Sequence, residues 1–230
     1  MHRTEPFTDR AHAGQLLAHQ LRRYAGLPGL LVLALPRGGV PVAFPMAQAL
    51  HAELDLVLVR KLGLPHQPEC AMGAIGSGGV RVLQPGVPGL MGVTGQEVDR
   101  VSAAERCELA RRERHYRGER PAPQLGGRTV ILVDDGIATG ASMRVAVAVA
   151  RSGHPARLAV AAPVAAPATL AALQQADSGV DDVVCLAAPA RFRAVSQWYR
   201  TFDQTTDREV QELLAQAWAG SAAQGADHQH

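Results

Sequence analysis

Strand-like and helix-like segments alternate along most of this chain, and this alternation constrains the fold more than any other feature. Five short runs rich in leucine and valine predict β-strands that are apolar throughout, as strands are when helices cover both faces of a sheet. Their approximate limits are Leu30–Leu35, Leu54–Arg60, Thr129–Asp134, Arg157–Val164 and Asp182–Leu186. Helical patterns follow at Val40–His51, Thr139–Ser152 and Ala166–Ala176. The sequence therefore predicts an α/β fold, a parallel sheet flanked by helices on both faces.

Between the second and third of these strands, a glycine-rich segment is followed by a longer helix. Four glycines, Gly73, Gly76, Gly78 and Gly79, predict a mobile loop or a loose hairpin. The helix is predicted from Thr94 to about Arg117, because Thr94 has a glutamate three residues later and can form a capping box. We expect one domain over residues 1–218, with a disordered tail at 219–230, where the residues are small and polar.

Charge and composition exclude several classes of function. The formal net charge is only +2, which predicts neither a nucleic-acid partner nor a membrane surface as partner. The uncharged segment Leu158–Ala176 contains two prolines and is better explained by a strand, a loop and a helix than by a membrane span. Lys61 is the only lysine and follows an arginine, so no Walker A loop is present. The three cysteines lie far apart, which is typical of a protein in a reducing cytoplasm.

The segment Thr129–Ser142, TVILVDDGIATGAS, carries the clearest functional signal. An apolar strand ends in Asp134 and Asp135, and a turn of small residues then opens a helix. Ligands of open α/β sheets bind at this edge of the sheet. The turn consists of Ala138, Thr139, Gly140, Ala141 and Ser142, and its free N–H groups and hydroxyls suit a phosphate monoester. Since the two carboxylates suit hydroxyls or a hydrated Mg²⁺, the segment favours a sugar phosphate, although acidic residues also simply cap helices.

Apolar residues followed by Asp-Asp, a few small residues and Thr-Gly resemble the phosphoribosyl pyrophosphate (PRPP) motif of the type I phosphoribosyltransferases. The loop Leu35–Gly39, LPRGG, resembles the pyrophosphate loop of this family, and Arg60-Lys61 resembles its basic pyrophosphate contact. The three motifs also follow the family's order. The whole segment from about Phe7 to Leu214 further resembles a bacterial subgroup of predicted phosphoribosyltransferases whose substrate is unsettled.

This resemblance implies the type I phosphoribosyltransferase fold, with a small hood built from both ends of the chain. It also implies Mg²⁺-dependent transfer of phosphoribose from PRPP to a nitrogenous acceptor, such as a nucleobase or related heterocycle, with release of pyrophosphate. Asp134 and Asp135 would be catalytic and hold Mg²⁺, directly or through water, and the turn from Ala138 to Ser142 would bind the 5-phosphate. Pyrophosphate would lie on residues of the other two motifs, namely Arg37, Gly38, Gly39, Arg60 and Lys61, of which Arg37 and Lys61 also count as catalytic.

Other roles stay open at this stage. The glycine-rich segment, together with Arg81, is a candidate lid over PRPP, although no lysine or arginine lies between Gly63 and Val80. Phe192 could stack on the acceptor or simply pack in the hood, and Trp198 and Tyr199 could be core or interface aromatics of a homodimer. The alternative function is a non-catalytic regulator that senses PRPP.

Overall fold

The computed structural model describes residues 5–84 and 86–226. In chain order the strands are β1 (Leu31–Ala34), β2 (Glu53–Leu56), β3 (Val59–Leu64), β4 (Gln67–Gly76), β5 (Val80–Leu83), β6 (Thr129–Val133), β7 (Arg157–Val164) and β8 (Asp182–Ala187). The helices are α1 (Arg10–Gln20), α2 (Gly39–Leu50), α3 (Val87–Leu90), α4 (Gly95–Arg117), α5 (Ala141–Ser152), α6 (Pro167–Leu173) and α7 (Asp207–Ala226).

Five parallel strands form the central sheet, in the order β2-β1-β6-β7-β8. Side chains alternate between the faces of a strand, so Val32 and Ala34 of β1 pack with α1, α2 and α7. Leu31 and Leu33 pack on the other face with α5 and α6. Both faces are therefore buried, which explains the continuous apolar runs, and the predicted fold class is confirmed.

The second predicted strand, Leu54–Arg60, is wrong as a single element. The β2 strand ends at Leu56, and Val59 begins β3, which pairs with β4 in a separate antiparallel sheet of order β3-β4-β5. Helix α4 covers one face of this small sheet, where Leu62 and Ile75 pack with Val98 and Leu109. The predicted capping box at the start of α4 is present.

The glycine-rich segment lies in an antiparallel hairpin of β4 and β5, so the hairpin alternative holds and the mobile loop does not. Gly73 and Gly76 lie in β4, and Gly78 and Gly79 form the tight turn to β5 with φ of 77° and 75°. A Cβ on Gly73 would lie 2.4 Å from the Val82 carbonyl oxygen, and one on Gly76 would lie 2.4 Å from Val149 Cγ1. These two glycines allow close packing rather than movement.

The two ends of the chain meet beside the sheet. The Phe7 amide donates to the Trp198 carbonyl at 2.8 Å, and the Arg200 amide donates to the Phe7 carbonyl at 2.8 Å. Phe7 and Tyr199 are buried in one apolar cluster with their ring centroids 5.4 Å apart. This cluster forms the hood.

The last helix, α7, is not among the elements predicted from the sequence. Residues 219–226 belong to α7, and residues 227–230 lie outside the described part of the chain. The single domain over residues 1–218 with a disordered tail stays a prediction. Over the residues described, no helix is both long and apolar enough to cross a membrane.

Candidate active site

The loop Leu35–Gly39 follows β1, and the Asp134-Asp135 pair follows β6. Because β1 and β6 are neighbours, these two predicted motifs meet at the carboxyl-terminal edge of the central sheet. A Cβ on Gly38 would lie 2.0 Å from Asp135 Oδ2, and one on Gly39 would lie 2.6 Å from the Val133 carbonyl oxygen. Only glycine fits at such distances. The loop predicted to bind pyrophosphate therefore packs directly against the acidic pair.

Asp135 is held in place by residues from both ends of the chain. Arg10 Nε donates to Asp135 Oδ2 at 2.9 Å, and the Tyr199 hydroxyl donates to the Asp135 carbonyl at 2.6 Å. The Arg10 guanidinium also lies 3.9 Å from the centroid of the Phe202 ring. Arg10 is a site residue that the sequence analysis missed, and no motif around it could have revealed the contact.

The two carboxylates occupy a poorly solvated, like-charged environment. Burial raises the pKa of Asp134 well above its ordinary value, and the neighbouring charge of Asp135 raises it further. Burial also raises the pKa of Asp135, while Arg10 opposes that effect. Asp134 Oδ1 accepts a hydrogen bond from the Asp135 amide at 2.9 Å. A second positive charge or a set of hydroxyl donors would stabilise this pair in its ionised form.

The turn before α5 leaves the helix N-terminus without a side-chain cap. Gly140 has φ of 71°, which favours glycine, and a Cβ there would lie 2.5 Å from Thr169 Cγ2. The turn is supported from behind, since the Thr169 hydroxyl donates to the Ala138 carbonyl at 2.7 Å and Arg144 Nη1 donates to the Thr139 carbonyl at 2.9 Å. The backbone N–H groups at this end of α5 can thus bind an anion.

The basic candidates lie on opposite faces of the small sheet. Arg60, Ile75 and Arg81 are cross-strand partners, and so are Lys61, Ala74 and Val82. Partners share a face, and the first set faces α4, where Arg60 is ion-paired with Glu105. Lys61 faces the other way and lines an open cleft of about 600 Å³ that Ser142 of α5 also lines. Arg60 lines this cleft too, but Lys61 alone of the predicted pair also lines another cleft, to which Ala141 and Arg144 of α5 contribute.

Among the candidate lid residues, Gly73 lines a cleft that Ala141 also lines, whereas Gly76 and Arg81 have contacts elsewhere. Gly76 packs against Val149 in the second half of α5. Arg81 Nη1 donates to Asp99 Oδ1 at 2.6 Å and to the Ser102 hydroxyl at 3.3 Å, both on α4. Closure over PRPP by this segment stays a prediction, and it would require the strand pair to separate from α5.

Phe192 lies in the hood. It is partly buried against the cluster that contains Phe7 and Tyr199, and Tyr199 in turn contacts Asp135. Phe192 thus packs against the same cluster as Tyr199, while its stacking role stays a prediction.

Polar side chains gather at the carboxyl ends of β1 and β6. This arrangement places the protein in the class of open α/β proteins, whose ligands bind at that edge of the sheet. Residues 9–189 match the family model described as the phosphoribosyl transferase domain. The chain belongs to this family, which confirms the resemblance on which the site residues were chosen.

Relatives agree with this assignment. Two Mycobacterium tuberculosis proteins, from two strains, carry provisional phosphoribosyl transferase names and are each 44% identical over 220 residues, which is 96% of this chain and 49% of theirs. The chain thus spans about half the length of these curated relatives. The crystal structure of the protein TT1426 from Thermus thermophilus is 44% identical, with 92% of this chain and 98% of that chain covered and a TM-score of 0.81.

Proposed function

We propose that this protein transfers phosphoribose from PRPP to a nitrogenous acceptor, such as a nucleobase or a related heterocycle, and releases pyrophosphate. The observation that carries the proposal is the contact between the glycine loop after β1 and the Asp134-Asp135 pair after β6. One ligand with a sugar between two phosphate groups would fit this arrangement. Its 5-phosphate would lie on the turn from Ala138 to Ser142, and its hydroxyls would face the carboxylates.

The chain's own residues would promote departure of the pyrophosphate. As the C1–O bond breaks and the acceptor nitrogen bonds to C1, negative charge develops on the leaving group. Arg37, the Gly38 amide at the start of α2, and Lys61 would neutralise that charge. The Gly39 amide already donates to the Leu35 carbonyl at 3.0 Å, so Gly39 would contribute by allowing close approach of the ligand. Phe192 would stack on the acceptor from the hood side.

The donor set suits Mg²⁺ that arrives with the ligand. Among residues 5–84 and 86–226, no group of three or more His, Cys, Asp or Glu side chains could hold a metal ion. Mg²⁺ is commonly bound by one or two carboxylates together with substrate phosphates and water. Asp134 and Asp135 would hold it in that way, and the ion would supply charge neutralisation at the pyrophosphate.

The direct test is pyrophosphate release from PRPP and Mg²⁺ in the presence of single nucleobases. We expect one base to accelerate the release and to appear in a nucleoside monophosphate product. Tight PRPP binding with no base-dependent release for any acceptor would favour the PRPP-sensing regulator instead. Absence of PRPP binding would contradict both functions.

Lys61→Ala is expected to weaken PRPP and pyrophosphate binding by about 10- to 100-fold, because one charge-assisted phosphate contact contributes about 1.5 to 3 kcal/mol. Ribose 5-phosphate binding should change much less. Lys61→Arg, which retains the charge, serves as the control. Calorimetric titration with the three ligands separates the possibilities: equal weakening of all three would place Lys61 at the 5-phosphate, as its shared cleft with Ser142 also permits.

A further inference from the structure

A second polar cleft, of about 380 Å³, is lined in part by the glycine loop and shares no lining residue with the cleft that Lys61 and Ser142 line. The loop supplies Arg37, the last turns of α4 supply Arg111, Arg112, His115 and Tyr116, and the first residue of α7 supplies Asp207. The family motifs contribute only Arg37 and its neighbour in the loop to this cleft.

The cleft contains guanidinium N–H groups without protein partners. Arg111 and Arg112 both bind Glu108, through Nε and Nη2 of Arg111 and through Nε of Arg112. Within the described part of the chain, Nη1 of Arg111 and both Nη groups of Arg112 make no hydrogen bond. Arg37 makes none either, and its Nη1 lies 3.9 Å from Asp207 Oδ1. These groups form a set of donors that an anion with several oxygens could satisfy.

Asp207 is the one carboxylate among the described residues that line this cleft. It accepts a hydrogen bond from the Tyr116 hydroxyl at 2.6 Å. Burial, reinforced by Asp207, raises the pKa of Tyr116 to about 12, so this phenol stays a donor. Asp207 is half-exposed and lies beyond hydrogen-bond distance of Arg37, so it compensates the charge of Arg37 only loosely. An incoming anion would replace that weak contact with direct ones.

We propose that this cleft is a binding site for an anion with two or more linked phosphate groups, separate from the PRPP site and joined to it through Arg37. The phosphate chain would lie across Arg111 and Arg112 on one side and Arg37 on the other. Its occupant would draw the Arg37 side chain away from pyrophosphate in the PRPP site. This inference goes beyond the proposed transfer reaction, since the site would bind its anion whether or not the protein is catalytic.

Calorimetric titration with inorganic tripolyphosphate, without PRPP, tests the site. The double variant Arg111→Ala/Arg112→Ala should bind tripolyphosphate at least about tenfold more weakly. Arg114→Ala, an exposed arginine of the same helix outside the cleft, should bind like the wild type. Asp207→Asn keeps an acceptor for Tyr116 but removes the negative charge, so it should bind several-fold more tightly.

Lys61→Ala separates this site from the pyrophosphate subsite, because Lys61 lines a different cleft. We expect Lys61→Ala to retain tripolyphosphate binding and the Arg111→Ala/Arg112→Ala variant to lose it. The reverse pattern would place tripolyphosphate at the pyrophosphate subsite and overturn the proposal, whatever the standing of the transferase function. A parallel titration with ATP identifies the source of the phosphate chain: tighter binding than tripolyphosphate indicates a nucleotide, and weaker binding indicates a free polyphosphate.

Discussion

Asp134→Asn and Asp135→Asn are each expected to weaken PRPP binding about 100-fold or more in the presence of Mg²⁺. Each change removes a charge from the place where the ribose hydroxyls and the metal ion would bind, and loss of two charge-assisted contacts costs about 3 kcal/mol or more. Calorimetric titration with PRPP and Mg²⁺ measures the effect. Unchanged affinity in both variants would refute the assignment of this turn.

Both variants should remain folded, which makes the binding result interpretable. In Asp134→Asn, the side-chain oxygen can still accept the hydrogen bond from the Asp135 amide. In Asp135→Asn, the side-chain oxygen can still accept from Arg10. The substitution also relieves repulsion between two poorly solvated carboxylates. Urea unfolding should therefore show wild-type stability or better for Asp134→Asn. Glu212→Gln, which alters an exposed pair with Arg208 on α7, is the matched control and should leave PRPP binding unchanged.

The central sheet could be predicted from the sequence because its strands are buried on both faces and interrupted by helical segments. The boundary between β2 and β3 could not, since the apolar run continues through Val57 and Leu58, which are themselves buried. Only the pairing shows the break: the Val57 amide still bonds to Ala34 of the central sheet, whereas Val59 pairs with Gly76 of the small sheet. The apolar pattern reports burial, and the chain stays buried from Leu54 to Leu58, past the end of β2.

The site was predictable where its residues are close in sequence and not where they are distant. Asp134, Asp135 and the turn from Ala138 to Ser142 form one continuous motif. Arg10 lies 125 positions from Asp135, so the contact depends on how the chain ends close over the sheet. The position of the Arg37 side chain could not be predicted for the same reason. The second polar cleft, which Arg37 lines, is formed largely by α4 and α7, two helices far along the chain from Arg37.

The segment at residues 73–79 was predicted to be a mobile loop or a loose hairpin, and the first of these was wrong for a different reason. Glycine permits both mobility and close backbone approach, and composition alone does not distinguish them. Gly73 meets the Val82 carbonyl across the strand pair, and Gly76 meets Val149 of α5. Packing therefore requires glycine at positions 73 and 76, and the positive φ of the turn favours glycine at positions 78 and 79.

A buried ion pair helps to position α4, the helix that carries Arg111 and Arg112. Arg117 Nε donates to Asp55 Oδ1 at 2.7 Å, and the side chains are only 2% and 1% exposed. Arg117 also donates to the Leu56 carbonyl and to Glu113. The end of α4 is thereby fixed to β2 of the central sheet.

Arg117→Ala is expected to lower the free energy of unfolding by about 3 to 5 kcal/mol at pH 7, because it leaves Asp55 buried without its partner. Burial already raises the pKa of Asp55, and Arg117 opposes that rise, so the pKa rises further in the variant. A carboxyl whose pKa is raised on folding favours the folded state below its unfolded pKa and loses that contribution as pH increases. The deficit of the variant relative to wild type should therefore be smaller at pH 5 than at pH 7.

Urea unfolding at the two pH values measures this deficit, and two further variants identify its cause. Arg120→Ala, which removes a partly exposed pair with Glu53, should cost about 1 kcal/mol or less. Adding Asp55→Asn to Arg117→Ala removes the buried charge, so it should recover part of the lost stability and abolish the extra pH dependence. A deficit in Arg117→Ala that is the same at both pH values, with no recovery in the double variant, would mean that Arg117 acts through packing and its bond to Leu56 rather than through its charge.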